Sequence, residues 1–276
     1  MIDFGNYSDG LNLGSHYITA ENDGFAIFSA LQPNQFATSS GEPFFYDFGR
    51  YPNAGYGAGY SADIFTSYTG NNFGGIEAFA SHTRGAAPTV AAFNVVFGGT
   101  HTTYFDGALE NTSTTNSVTT LSLAEIGEAP QHQNSNGPVS IGRQAKNDGV
   151  NGNDRYFYGI MGDLIMYDRA LPTADRQKVQ TYLGVKYGIT LQHNYIASND
   201  ATIWDIAANA AYHNDVAAIG RDDASLLSQL QSGSENAGAL VTMGLDSISA
   251  GGNATHGSSF ATDLSFIVWG LSLIHI

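Results

Sequence analysis

Short apolar runs separated by turns rich in Gly, Asn and Ser dominate the first 150 residues of the chain. Side chains of a strand alternate between two faces, and Gly and Asn supply the backbone conformations that tight turns need. The pattern therefore predicts an antiparallel all-β fold with many short strands. The runs that we expect to form strands are AIFSAL at 26–31, FFYDFG at 44–49, VAAFNVVFGG at 90–99 and VSIG at 139–142.

Glycine positions refine this picture at two places. Asp106 and Gly107 separate the apolar pairs YF and AL, and an Asp-Gly pair suits a type I′ turn, which needs positive φ at both central residues. We therefore expect a β-hairpin there. Residues 156–167, YFYGIMGDLIMY, predict one long strand that bends or bulges at Gly159 and Gly162.

One amphipathic helix is predicted after the long strand, within LPTADRQKVQTYLGVKYGITL. Thr173 is expected to cap its amino terminus, and Gly188 is expected to end it in a left-handed conformation. We expect the helix to pack on the edge of the sandwich and to cap it. The face that would make this contact consists of Val179, Tyr182, Leu183 and Lys186.

The composition changes after residue 193, where Arg221 is the one basic residue against eight acidic ones, while nine basic residues precede that point. We predict two units, a sandwich over residues 1–193 and a small, partly β unit over residues 194–276, and we expect both chain ends to be incomplete. The second unit contains the Ala-rich stretch WDIAANAAY, which has a helical composition, and the apolar runs ALVTMGL and LSFIVWG.

Charge and cysteine content exclude several classes of function. The 276 residues have a formal net charge of −15, which repels nucleic acid and anionic membrane surfaces. Charged residues make up only 13% of the chain, against roughly 25% in an ordinary soluble domain, so uncharged polar groups must form much of the surface. Without cysteine, the chain forms neither disulfides nor thiolate metal sites. No apolar stretch approaches the roughly 18 residues of a membrane-spanning helix.

The segment around the long strand and the helix resembles the end of a concanavalin A-like lectin/glucanase domain, the laminin-G-like jelly roll of bacterial surface proteins. The pieces YFDGAL and VSIGRQ are similar to elements that precede it in the family, so the resemblance covers roughly residues 10–193. The later stretch from IWDIAANAAY to DLSFIVWG resembles a short domain of unknown function that follows such jelly rolls. The matching residues at the end of the jelly roll are Phe157, Gly159, Ile160, Asp163, Tyr167, Arg169, Ala170 and Leu171.

This resemblance implies a jelly-roll β-sandwich with a C-terminal capping helix, followed by a small partial second domain. It also implies an extracellular or cell-surface location within a larger, multidomain bacterial protein, and a role in adhesion or secretion.

The residues present no catalytic constellation. Glycoside hydrolases need two carboxylates facing one cleft, but Glu125 and Glu128, the closest glutamates, are three positions apart, so we expect them on opposite faces of a strand or in a turn. Nucleophile-elbow, zinc-helix and phosphate-loop motifs are absent. His101, His132 and His213 have no partner at metal-ligand spacing, so we expect them on the surface or in turns. We therefore predict that the chain is not an enzyme.

Ten aromatic residues lie between positions 43 and 75, interspersed with glycines. An aromatic ring with a polar tip can stack on the apolar face of a sugar, and the same ring can equally fill a sandwich core. Both interpretations remain open at this point. The candidates for carbohydrate binding are Tyr51, Tyr56 and Tyr60.

The loop KNDGVNGNDR at 146–155 concentrates oxygen ligands of the kind that Ca²⁺ prefers. Its spacing does not fit an EF-hand, and Asn, Gly and Asp are also ordinary turn residues. No cofactor is required by any motif, and Ca²⁺ is the one ion that the loop suggests. The candidate ligands are Asn147, Asp148, Asn151, Asn153 and Asp154.

Together these observations predict a non-catalytic carbohydrate-binding or adhesive module whose partners are glycans or polysaccharide. Two alternatives stay open. The first is a structural spacer without a ligand, and the second is a degenerate polysaccharide hydrolase, which would show two carboxylates in a concave cleft.

Overall fold

A computed structural model of the chain describes residues 2–4, 11–12, 24–33, 44–50, 54–61, 64–71, 75–83, 87–96, 98–113, 139–142, 157–236 and 238–272. Two large antiparallel sheets account for the strands before the helix. In chain order these strands are β1 (Ile2–Phe4), β2 (Leu11–Asn12), β3 (Gly24–Pro33), β4 (Phe44–Arg50), β5 (Ala54–Ser61), β6 (Ile64–Asn71), β7 (Gly75–Thr83), β8 (Thr89–Val96), β9 (His101–Phe105), β10 (Ala108–Ser113), β11 (Val139–Ile141) and β12 (Gly159–Tyr167).

Each large sheet has six strands. Sheet A has the order β1-β12-β3-β8-β9-β10, and sheet B has the order β2-β11-β4-β5-β6-β7. The two sheets face each other, since the ring of Tyr46 in sheet B lies 6.0 Å from that of Phe93 in sheet A in an edge-to-face contact. The predicted all-β, sandwich-like fold is therefore confirmed, and each of the four predicted apolar runs lies on a strand over most of its length, the run at 90–99 continuing past the end of β8 at Val96.

The predicted hairpin and the predicted bulge are both present. Asp106 and Gly107 have φ of 49° and 85°, and they join β9 to β10. The Asp106 carboxylate also accepts hydrogen bonds from the Thr89 hydroxyl and the Val90 amide, at 2.9 and 2.7 Å, which ties the turn to β8. In β12 the pairing with β3 shifts register between Met161 and Leu164, which brackets Gly162.

Strands β3 and β8, in the middle of sheet A, are buried on both faces. Phe93 and the other odd-numbered positions share the face that meets sheet B, because side chains alternate along a strand. Even-numbered positions such as Phe28 and Ala92 pack in a different cluster, together with the helix and the C-terminal strands. Burial on both faces explains why the sequence of each of these strands is a nearly continuous apolar run.

The helix α1 (Thr173–Tyr187) lies across the outer face of sheet A, where it contacts β3 and β8, so the predicted position at the sandwich edge is wrong. Asn94 of β8 fixes the approach to the helix, because its side-chain amide bonds both the N–H and the C=O of Leu171, at 2.7 and 3.2 Å. Gly188 ends the helix at φ 65°, as predicted.

The C-terminal strands continue the same stack. Strand β19 contains the predicted run LSFIVWG except for its first residue, whereas the helical part of the Ala-rich stretch is only a 3₁₀ turn at Ala210–Tyr212. Further 3₁₀ turns cover Asp223–Ser225 and Gly252–Thr255. The sheets here are β13-β14, β16-β15-β19 and β17-β18. The strands are β13 (Tyr195–Ile196), β14 (Thr202–Trp204), β15 (Asn214–Asp222), β16 (Leu227–Gln229), β17 (Gln231–Gly233), β18 (Thr242–Gly244) and β19 (Ser265–Leu271).

One hydrophobic cluster joins sheet A, the helix and strand β15. Phe28, Leu183 and Val216 are all fully buried in it, although they come from the three different parts. The predicted boundary at 193/194 therefore falls inside a continuous core, and the division into two units stays a prediction about modules. Within the described residues, no helix is long and apolar enough to cross a membrane.

Candidate binding groove

The predicted site residues are only partly within the described chain. Tyr56 and Tyr60 lie on β5, where Tyr56 pairs with Phe48 and Thr69 and Tyr60 pairs with Phe65. Their role in carbohydrate binding stays a prediction. Outside the described residues lie Tyr51, Glu125, Glu128, His132 and the calcium candidates Asn147, Asp148, Asn151, Asn153 and Asp154.

A groove of about 490 Å³ opens between strand β12, helix α1 and the turn that joins β15 to β16. We call it the strand–helix groove. Its volume lies within the roughly 300–1,000 Å³ that ligand sites usually have. The side chains that form its apolar surface are Ile165, Tyr167, Val179, Tyr182, Leu226 and Phe266.

Three aromatic rings line the groove, each held by a different element. Tyr167 at the end of β12 packs edge-to-face on Phe28, at 6.1 Å, and its hydroxyl has no hydrogen-bond partner among the described residues. Phe266 lies opposite Gly220 in the β15–β19 pairing, and a side chain at Gly220 would collide with its ring. The glycine therefore makes room for the aromatic face.

A polar cluster closes one end of the groove and fixes the helix to β12. The Asp163 carboxylate accepts hydrogen bonds from the Lys186 ammonium at 2.6 Å and from the hydroxyls of Tyr182 and Tyr187 at 3.1 and 3.0 Å. Lys186 also donates to the Tyr182 hydroxyl at 2.8 Å. Gly162 allows this approach, because a Cβ there would overlap the Tyr187 ring. We call these four side chains the Asp163 cluster.

Electrostatics keep the Asp163 carboxylate ionised. Partial burial alone would raise the pKa of Asp163, but the hydrogen bonds from Lys186 and the two tyrosines outweigh it and hold that pKa below its usual value. Burial, together with the neighbouring carboxylate, raises the pKa of Tyr187 to about 12. The Asp163 carboxylate is therefore an acceptor at neutral pH, with no proton to give.

The opposite wall is a turn with an exposed leucine at its tip. Asp222 holds this turn, since its carboxylate accepts from the Ser198 hydroxyl and amide at 2.6 and 2.8 Å and from the Ser225 amide at 3.3 Å. Leu226 follows at φ 56° with 88% of its surface exposed. A leucine in the left-handed region is strained, and exposure leaves its apolar side chain in water.

A second cavity, of about 430 Å³, lies at the other end of the helix and is bordered by Lys186 and Tyr187. Its remaining polar lining comes mainly from the amides of Gln32, Gln229 and Gln231. Gln231 is already engaged, because its amide bonds both backbone groups of Ser249. Among the described residues that line it, Tyr187 is the one aromatic, so the strand–helix groove is the better candidate for a site.

The histidines that the structure describes do not converge on any site, and the predicted surface or turn position is wrong for His101. His101 is 2% exposed within β9, and burial lowers its pKa to about 3. His213 accepts from the Trp204 indole at 3.0 Å and bonds the Leu191 carbonyl at 2.8 Å. Across the described ranges, no group of three metal-ligating side chains comes together.

Sequence reasoning missed the groove because its walls come from five separate segments. Two of its residues, Val179 and Tyr182, belong to the predicted apolar face of the helix. The sequence pattern does not indicate that Phe266 lines the same groove. Leu226, whose backbone is left-handed, follows the residues Asp-Ala-Ser. This mostly polar run predicts a turn but does not indicate a groove.

Comparison with known proteins adds a partial family match. Residues 175–272 match the model of a domain of unknown function, DUF8202. The match agrees with the expected domain of unknown function at the end of the chain, but it begins inside α1 rather than at residue 194. No curated protein matches the chain.

Solved structures similar to the chain include binding domains of botulinum neurotoxins. The binding domain of botulinum neurotoxin DC in complex with SialylT has 10% identity and a TM-score of 0.44, with coverage of 64% of this chain and 38% of that one. The botulinum neurotoxin serotype C1 binding domain has 12% identity and a TM-score of 0.43, with coverage of 66% and 40%. This chain thus spans about two fifths of those domains.

Proposed function

We propose that this chain is a non-catalytic carbohydrate-binding module of the concanavalin A-like jelly-roll class, within a larger secreted or cell-surface protein. The observation that supports this most is the strand–helix groove, in which the rings of Tyr167, Tyr182 and Phe266 line one cavity. Aromatic rings offer apolar faces for the C–H faces of a pyranose. The Tyr167 hydroxyl, which has no hydrogen-bond partner among the described residues, supplies a donor and acceptor for a sugar hydroxyl.

Leu226 supports a binding role on separate grounds. Its left-handed backbone and its 88% exposure both cost free energy in the isolated protein. Strained residues and exposed apolar groups concentrate at binding sites, where a ligand covers the surface that would otherwise face water. At the tip of the turn that lines the groove, Leu226 is suited to close over a bound sugar ring.

The state of the carboxylates in the groove disfavours the hydrolase alternative. A glycosidase needs a protonated carboxyl as general acid and a second carboxylate as base or nucleophile. Asp163 has a lowered pKa and three side-chain donors, and Asp222 is held by three donors from Ser198 and Ser225. Both carboxylates are therefore committed to holding the walls of the groove.

The aromatic segment and the Asn/Asp-rich loop remain part of the proposal. Tyr51, Tyr56 and Tyr60 would add a second sugar-stacking surface, and the loop at 146–155 would bind Ca²⁺ through its side-chain oxygens. Calorimetric melting with and without added Ca²⁺ tests the second idea. An unchanged melting temperature at millimolar Ca²⁺ would remove it.

A glycan array probed with the purified chain tests the proposed function. We expect the Leu226→Asn variant to fold as stably as the parent or more so, because Asn tolerates the left-handed region. Its affinity for glycans bound by the parent should fall about threefold to tenfold, since an apolar contact worth roughly 1 kcal/mol is lost.

The matched control is Leu264→Asn. Leu264 also has a left-handed backbone, at φ 56°, but it does not line the groove, so glycan affinity should be unchanged. An array without hits would favour the spacer alternative. Equal losses in the two variants would show that binding occurs elsewhere on the molecule.

A further inference from the structure

We propose that the strand–helix groove selects uncharged glycans, and that Asp200 enforces this selectivity by neutralising Lys178. The inference rests on the proposed function, because it assumes that the groove binds sugar. It concerns the chemical class of the ligand, which neither the family match nor the aromatic lining specifies.

Sugars that carry carboxylate or sulfate groups are normally held by an uncommitted lysine or arginine. One lysine, Lys178, lines the groove, and a second, Lys186, lies beside it in the Asp163 cluster; each is already paired. Lys178 Nζ lies 2.7 Å from Asp200 and 3.5 Å from Asp175, and Lys186 Nζ lies 2.6 Å from Asp163. The wall that the structure describes therefore presents one lysine to a ligand, already neutralised, and the lysine beside it is neutralised as well.

Neighbouring arginines do not change this balance. Arg221 donates Nε and one terminal nitrogen to the Asp223 carboxylate, both at 2.7 Å, and the other terminal nitrogen to the Phe260 carbonyl at 3.0 Å. Arg169 is exposed and does not line the groove, and its effect on the pKa of Tyr167 is opposed by that of Asp175.

The remaining charges in the groove are negative. Asp222 lines it without a cationic partner among the described residues, since its donors are the hydroxyl and amides of Ser198 and Ser225. The whole chain adds a formal charge of −15, which lowers the local concentration of anionic ligands further. An anionic glycan would therefore have to displace Asp200 from Lys178 before it could pair.

Asp200 offers a clean way to test this. It is in the left-handed region at φ 69°, its side chain is 68% exposed, and its amide donates to the Ala197 carbonyl at 3.0 Å. Asparagine tolerates the left-handed region and keeps the backbone hydrogen bond to Ala197. Asp200→Asn therefore removes one charge while the turn persists, and it leaves Lys178 with only the longer contact to Asp175.

The experiment uses the full chain on an array of uncharged, carboxylated and sulfated oligosaccharides at fixed salt. Calorimetric titration then follows the strongest uncharged hit and its nearest acidic counterpart. We expect the parent to bind the uncharged glycan at least about tenfold more tightly, which is the ratio for a difference of 1.4 kcal/mol. Asp200→Asn should strengthen binding of the acidic glycan about threefold or more and leave the uncharged one unchanged.

Asp246→Asn is the matched control, since Asp246 is also left-handed, at φ 64°, and does not line the groove. Acidic hits that bind the parent more tightly would overturn the selectivity while the proposed function stands. Identical behaviour of the two variants would overturn the role of Asp200. An array on which neither class binds would overturn the proposed function itself, and this inference with it.

Discussion

At the scale of single residues, His101 makes the stability of the protein sensitive to acid. It is almost fully buried in β9, and burial lowers its pKa from 6.5 to about 3. The unfolded chain takes up a proton near pH 6.5, whereas the native protein does so only near pH 3. We therefore expect the free energy of unfolding to fall as the pH decreases between these values, by up to about 1.4 kcal/mol per pH unit.

His101→Gln should flatten this dependence, because glutamine stays polar but takes up no proton. Urea unfolding at several pH values between about 6.5 and 4.5 measures it, in a window above the range where the carboxylate Asp163 becomes protonated. His193, which is half-buried and whose pKa is also lowered, will leave part of the slope in place. His256→Gln, in a C-terminal turn, is the control, and an equal flattening there would contradict the assignment to His101.

The residue scale is also where sequence patterns are weakest. Arg176 and Gln180 are 8% and 0% exposed, although neither stood on the predicted apolar face of the helix. The Arg176 guanidinium lies 3.9 Å from the centroid of the Tyr104 ring, and both amide atoms of Gln180 are unpartnered within the described residues. Such atoms commonly bind buried water. Their burial follows from a sheet that passes beneath the helix, which a helical pattern alone does not reveal.

At the scale of elements, the Asp163 cluster should hold helix α1 to strand β12. Lys186→Met keeps most of the apolar stem but leaves the ionised Asp163 carboxylate without its cation. We expect a loss of about 1–2 kcal/mol in the free energy of unfolding, because a charged hydrogen bond at a partly buried site is lost. The pKa of Asp163 should rise at the same time, since the ammonium helps to lower it. Urea unfolding and NMR titration measure the two effects.

Lys178→Met provides the comparison on the same helix. Its partner Asp200 is 68% exposed, whereas Asp163 is 32% exposed, so water already screens the Lys178 pair. The loss of unfolding free energy there should be clearly smaller than the loss at Lys186. Equal losses for the two lysines would mean that the Asp163 cluster has no special role in docking the helix.

Elements that are determined by their own residues were predictable from the sequence. Features that depend on contacts with other segments were less so. The Asp106–Gly107 turn was predicted correctly because both residues favour positive φ by themselves. The prediction that Thr173 caps the helix was wrong. Pro172, at φ −58°, precedes the helix instead, its carbonyl accepts the first helical bond from Arg176 at 3.0 Å, and no side chain caps the end. The fixed φ of proline suits the start of a helix, so the helix begins without a side-chain cap.

At the scale of the whole molecule, the sandwich was predictable and the third layer was not. Alternation and turn chemistry indicate two sheets, but continuous runs such as β3 and β8 fit several buried settings. Only the folded chain reveals that sheet A has a second partner on its outer face. The groove depends on that layer, because Leu226 and Phe266 belong to it while Tyr167 belongs to the sandwich. Contacts so distant along the chain leave no local sequence signal.

Because this outer layer shares one core with sheet A, the chain should unfold as a single cooperative unit, even if its two predicted units have separate origins. Val216 in β15 is fully buried in that core. We expect Val216→Ala to cost about 2 kcal/mol, from lost apolar burial and the cavity left behind. The β3 amides lie in the sandwich. The free energy that protects them from hydrogen exchange should then fall by the same amount.

Ile248→Ala serves as the reference, because Ile248 is 59% exposed and its truncation should change the free energy of unfolding by less than about 0.5 kcal/mol. If Val216→Ala speeds exchange in β15 but leaves β3 protected, the two units unfold separately and the boundary at 193/194 is an energetic one. If the hydrogen-exchange rates of β3 and β15 rise together, burial of the outer face of sheet A couples the unfolding of the two strands. The strand–helix groove, formed from both layers, would then exist only while the whole chain is folded.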